Sequence, residues 1–145
     1  MKPIRTIGLD KTTKKYKNME KKLGDTKKLL NEIGSTATAM ITQRTLAGTD
    51  VDGKAFKAYS PLYKQTRAKK GRSTTVNLSF TGRMLAAIKH KLISKTQVML
   101  HFSRGEEGRK ALYLSKERNF FGISKNELHK INEKLIKPWM RKLVK

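Results

Sequence analysis

The sequence predicts an α+β fold: a long N-terminal helix and a C-terminal helix packed on a small antiparallel β-sheet. Three observations lead there. Tyr16, Met19, Leu23, Thr26, Leu30, Ile33, Ala37 and Met40 follow a 3-4-3-4 spacing, the pattern of a helix with one buried stripe. Val98, Leu100 and Phe102 alternate with Gln97, Met99 and His101, the two-residue period of a half-buried strand. Ser124 and Glu127 form a capping box ahead of Leu128, Ile131, Leu135, Trp139 and Leu143, which repeat at three and four. At 145 residues the chain is expected to form a single domain, 1–145, with one core.

Residues 1–9 read as a short strand through Ile4 and Ile7 or as an N-terminal arm, and Asp10 is a credible N-cap. Within the long helix, Gly24 and Gly34 each cost about 1 kcal/mol relative to Ala. A break at Gly24-Asp25 therefore fits the pattern, with Asp25 capping a second helix. The 27–46 half is the stronger one, because Leu29 and Ile41 widen its apolar face. The stripe suits an intramolecular core or a coiled coil with another copy; its short, mixed run of heptads favours the core. Ala47-Gly48-Thr49 carries a glycine stop signal.

The following stretch, 49–85, has three parts. Asp50, Asp52 and Gly53 are turn formers. Phe56, Tyr59 and Tyr63 then suit one face of a short helix, with Ser60-Pro61 as a start within it. The 64–75 segment, KQTRAKKGRSTT, is too polar and basic for a core. It is expected to be a flexible surface loop that orders only against a partner or DNA. Asn77-Leu78-Ser79-Phe80 leads into a helix start at Thr81-Gly82, with Met84, Leu85 and Ile88 apolar behind it.

Residues 88–93 and 97–102 predict a β-hairpin around Ser94-Lys95. The 106–115 stretch reads as a short helix or as a strand at 111–114, and 119–122 as an extended approach to the last helix. Ile123 and Leu128 flank the capping box as a hydrophobic staple. The apolar stripes of both helices are expected to meet across the inner face of the sheet, through Val98, Leu100 and Phe102. Pro138 should kink or end the last helix. Trp139 and Met140 would then form a foot against the protein or a partner.

Charge is the dominant compositional feature: 34 Lys plus Arg against 11 acids, net +23, sequence pI about 10.5. No acid lies between Asp52 and Glu106, whereas twelve lysines and arginines do. Such a field attracts polyanions and repels like copies unless something neutralises it. It fits nucleic-acid contact, where neutralised phosphates release counterions, and equally a solvated face meeting acidic proteins. Lys64, Arg67, Lys69, Lys70 and Arg72 are the expected contacts to DNA or an acidic partner. Phe120, Phe121, Trp139 and Met140 are the expected protein interface. With aromatics at 7%, no stacking platform stands out, so any DNA contact should be to phosphates and lack sequence information.

The chain has no cysteine, no apolar run near the roughly 20 residues that span a bilayer, and no apolar N-terminal leader. The expectation is a soluble intracellular product without membrane contact. His90, His101 and His129 lack metal-ligand spacing. Glu106-Glu107 sits in a GEEG setting that suggests solvation, and neither Ser60 nor Ser115 lies in a nucleophile elbow. Phosphate-loop and dinucleotide motifs are absent. No cofactor, no metal and no enzymatic activity are expected.

The motif order is informative beyond composition. Asp50, Gly53, Phe56, Ser60, Leu78, Thr81, Gly82 and Met84, followed late in the chain by Arg118, Phe120 and Gly122, make it resemble the tail completion and head–tail connector proteins of tailed phages. It is most similar to the virion-morphogenesis group that includes the Mu-type tail completion protein. The resemblance covers about residues 29–144. One segment departs: many members carry a Tyr-Ala-x-x-His-like run where this chain reads Ala111-Leu112-Tyr113-Leu114-Ser115, without the histidine. The resemblance implies a strand or turn at that point. It also implies a virion structural protein of the neck or tail end, assembled in the host cytoplasm. Such a protein acts as copies of itself in a ring around the DNA channel, beside other neck, head-connector or tail proteins. The alternative is a sequence-independent nucleic-acid-binding protein of nucleoid or ribosomal type.

Overall fold

The structure, a computed structural model, describes residues 13–14, 16–18, 20–21 and 26–144. The readings placed on Ile4, Ile7, Asp10, Met19, Leu23 and Gly24-Asp25 lie outside the described residues. The organising element is helix α1, Thr26–Leu46. Leu29, Leu30, Ala37 and Ile41 are buried along it, whereas Ile33 and Met40 are half-buried. Its threonines are tolerated because their hydroxyls bond back one turn: Thr38 to the Gly34 carbonyl at 2.9 Å and Thr45 to the Ile41 carbonyl at 2.7 Å. The helix stops in a Schellman turn. Gly48 takes φ +86°, its N–H donates to the Thr45 carbonyl, and the Thr49 N–H donates to the Arg44 carbonyl.

The Asp50 carboxylate then accepts from the Asp52 and Lys54 amides at 2.9 and 2.8 Å, and Gly53 supplies the positive φ of the turn. Phe56 and Tyr59 are buried but precede helix α2, Pro61–Lys69, so the three aromatics do not share a helical face. Ser60 caps α2 through the Tyr63 amide. A single helical turn, α3 (Arg83–Ala86), starts from Gly82 at φ +77°. Strands β1 (Ile88–Leu92) and β2 (Val98–Phe102) form the antiparallel hairpin, in the register Ile88 with Phe102, His90 with Leu100 and Leu92 with Val98. Ser94 and Thr96 stabilise its turn, with the Thr96 amide donating to the Ser94 hydroxyl.

The 106–115 stretch is helical: α4 spans Gly105–Ser115. This corrects the strand or turn implied by the resemblance. Glu106 and Glu107 in its first turn oppose the helix dipole favourably. Glu107 and Ala111 are buried one turn apart on one face, with half-buried Leu114 beside them.

Helix α5, Lys125–Ile131, opens with the predicted capping box, in which the Ser124 hydroxyl and Glu127 carboxylate each accept the other's amide. Leu128, 59% exposed, does not close the expected staple, although Ile123 packs on the core. A π-helical turn, Asn132–Ile136, leads into α6, Lys137–Val144. Pro138, which lacks an N–H, sits just past that turn, so the regular α-helix is interrupted beside the proline and resumes through it. The Lys137 ammonium, bonded to Glu133, holds that carboxyl below its ordinary range. The extra residue in the π turn rotates the later apolar stripe. Ile131 is buried, while Leu135, Trp139 and Leu143 are half-buried.

Helix α1 packs on both strands, and α5 with the π turn packs on α1. The two stripes therefore meet at α1 itself. The core gathers Ile41, Phe56, Tyr59, Leu78, Leu85, Ile88 and Phe120, with Leu100 and Phe102 of the sheet against it.

Candidate interaction surfaces

The acid-free stretch builds α2, the loop after it and the hairpin. Within it, Arg67 is the exception among the expected polyanion contacts. It is 1% exposed. Its guanidinium donates to the Ser73 carbonyl, the Asn77 side-chain oxygen and the Ser79 carbonyl, and lies 4.9 Å from the Tyr59 ring centroid. A guanidinium can enter a core in this way because its planar fork satisfies several acceptors at once. Arg67 is thus an internal clamp for 73–79 and not a contact residue. The same clamp holds Leu78 at φ +51°, where its amide donates to the Tyr59 hydroxyl at 3.1 Å.

The 64–75 segment is correspondingly not a loop throughout. Residues 64–69 belong to α2, and the helix ends in a second Schellman turn, with Gly71 at φ +63° and the Arg72 amide on the Arg67 carbonyl. Lys64, Lys69, Lys70 and Arg72 are exposed on this scaffold. Among the described residues no carboxylate lies within 4.0 Å of their charged groups. Lys70 and Arg72 instead lean over the Phe80 ring at 5.6 and 6.0 Å.

Two separated parts of the motif order, 50–58 and 118–122, meet in the structure. The Val51 amide donates to the Asn119 carbonyl, and a Cβ on Gly122 would lie 3.3 Å from the Val51 side chain. Arg118 donates to the Lys57 carbonyl at 3.1 Å and covers the Tyr59 ring. Arg44 donates to the Phe120 and Gly122 carbonyls at 2.7 and 2.9 Å, and pairs with the Glu127 carboxylate. Two charged forks therefore tie the 49–60 segment and the end of α1 to the approach of α5.

Phe120 is wholly buried, which corrects its assignment as an interface residue. Phe121 packs against the same core from its edge, half-buried, with its ring 6.4 Å from Phe120 and 4.9 Å from Phe102. Met140 is exposed, and half-buried Trp139 lines a groove of about 340 Å³ with Leu29, Leu135, Pro138 and Leu143. Trp139 and Met140 thus lie where an interface can form.

Sequence reasoning missed a second groove, of about 590 Å³, between α2, the 78–84 segment and α4. Tyr63, Phe80, Met84, Tyr113 and Leu114 line it, with Arg109 and Lys110 at its α4 side. The buried Glu107 carboxylate, paired with Lys110 at 3.3 Å and Arg83 at 3.7 Å, also borders it. Only the helical reading of 106–115 places Tyr113 and Leu114 there.

Candidate chemistry is dispersed. His90 is on the α1 side of the hairpin, His101 pairs with Lys89 on the other face, and His129 is exposed on α5. Ser60 serves as a helix cap. Among the described residues, no group of three potential metal ligands converges, and no helix is long and apolar enough to cross a membrane. No family model, curated protein or solved structure matches the chain.

Proposed function

We propose that this chain is a structural protein of a tailed-phage virion, acting at the neck or tail end in tail completion or head–tail joining, as copies in a ring around the DNA channel. The observation that carries the reading is the division of labour within the resemblance. Asp50, Gly53, Ser60 and Gly82 shape turns and caps, Phe56, Leu78, Met84 and Phe120 fill the core, and Arg118 ties two distant segments together. The exposed cations on and just after α2 stand outside that frame. A frame plus a basic face suits a scaffold beside DNA or acidic ring neighbours, since phosphate contacts need charge rather than a constructed pocket.

Half-buried Trp139 with exposed Met140 is the surface assigned to contact between copies or with a neck neighbour. Purified particles of the source phage, probed with an antibody against this chain, test the reading: label confined to the head–tail junction or tail end is expected. Particles free of the chain would overturn it. The second reading, a free nucleic-acid-binding protein, draws on the net charge of +23. It predicts a monomer or dimer that binds duplex DNA without forming rings.

A further inference from the structure

We propose that the groove between α2 and α4 is a docking site for an acidic protein segment that inserts an apolar side chain. The inference goes beyond ring assembly and does not depend on it, because the groove is distinct from the Trp139 surface. Its floor is apolar: Met84 and Leu78 are buried, Leu114 is half-buried, and Tyr113 is 75% exposed at its edge. A volume of about 590 Å³ lies in the range of sites that accept a small ligand or a few side chains.

Charge selects the occupant. Arg109 and Lys110 border the groove, and Arg83, Lys70 and Arg72 stand near it through Glu107 and Phe80. Glu107, the one carboxylate bordering it among the described residues, is already paired with Lys110 and Arg83. A cationic rim around an apolar floor matches an anionic segment with an apolar anchor. A second copy of this chain, with 34 cations against 11 acids, brings the wrong sign.

Nucleic acid fits less well. Base stacking needs free ring faces, yet Arg67, Lys70 and Arg72 lie over Phe80 within 6.0 Å, and Tyr63 is engaged with Tyr59 in an edge contact at 4.9 Å. Of the aromatics lining the groove, Tyr113 offers the largely open ring. An apolar side chain, by contrast, needs only the floor.

The test is fluorescence anisotropy with a labelled short acidic peptide carrying a central Leu-Phe pair, a control peptide with both replaced by Gly, and labelled oligothymidylate. The anchored peptide is expected to bind about tenfold or more tightly than the control. Tyr113→Ala and Arg109→Glu, both at exposed positions, should each remove most of that advantage with unchanged circular dichroism. Lys95→Glu, at the hairpin turn, should leave it intact. Equal binding of the two peptides would overturn the proposal, leaving diffuse charge attraction only. So would oligothymidylate binding more tightly with the same Tyr113 dependence, or a homodimer that Tyr113→Ala dissociates.

Discussion

Gly34 of α1 lies directly against His90 of β1: a Cβ built on Gly34 would stand 2.6 Å from the imidazole Cγ and 2.9 Å from the histidine Cβ. A glycine in mid-helix is a local weakness, and here that weakness allows the hairpin to approach the helix. Gly34→Ala gains about 1 kcal/mol of helix propensity. It also forces a side chain to shift near its own backbone, an overpacking cost of typically about 1–3 kcal/mol. The variant is expected to melt lower than the parent, and Gly34→Ala with His90→Ala should melt higher than Gly34→Ala alone. Thermal unfolding followed by circular dichroism reads both.

Arg67 and Lys69 are two residues apart on α2 and should behave oppositely. Arg67→Ala strips three acceptors of a buried donor and is expected to cost about 2–4 kcal/mol in urea unfolding. Arg67→Lys should recover only part of this, since an ammonium does not reproduce the planar fork. Proteolysis within 70–77 should accelerate in the alanine variant. Lys69→Ala should stay within about 0.5 kcal/mol of the parent.

Ile131 and Trp139 are expected to separate stability from the proposed assembly. Ile131 is buried, so Ile131→Ala should cost about 2–5 kcal/mol of folding stability. Trp139 is half-buried at its groove, so Trp139→Ala should lower the melting temperature little while reducing the oligomeric fraction in light scattering. A Trp139→Ala protein that unfolds but assembles normally in its folded fraction would place the indole in the core. Leu135→Ala, at a half-buried position, should fall at the lower end of the core range.

Duplex DNA binding should be insensitive to sequence and fall steeply with salt. Replacing Lys64, Lys69, Lys70 and Arg72 together by Gln should flatten the log–log salt dependence by about 0.9 for each phosphate that is no longer neutralised. A slope unchanged in that variant would move the DNA-facing surface elsewhere on the molecule.

The parts of the fold that are legible in the sequence are those fixed by local chemistry. The Ser124–Glu127 box, the Ser60 cap, the Gly48 stop and the hairpin alternation each depend on residues a few positions apart. What escapes a sequence reading depends on distant partners. Arg67 reads as a surface cation because nothing local reveals Tyr59, Asn77 and Ser79 closing around it. Phe120 and Phe121 are identical side chains, and only the packing of α1 and β2 makes one core and the other half-open. The α4 helix is ambiguous in sequence because Gly105 and Gly108 weaken its propensity, and packing of Ala111 and Leu114 on the core supplies what propensity lacks. The groove beside it is therefore invisible as well.

Assembly around a channel can be tested by electron microscopy of the purified chain, alone and with duplex DNA. Rotationally symmetric rings with an open centre are expected, lost in Trp139→Ala, with Lys64, Lys69, Lys70 and Arg72 on a face available to DNA or to an acidic neighbour. Monomers or dimers that coat DNA at every concentration tried, with no closed ring in any class average and no effect of Trp139→Ala, would contradict ring assembly.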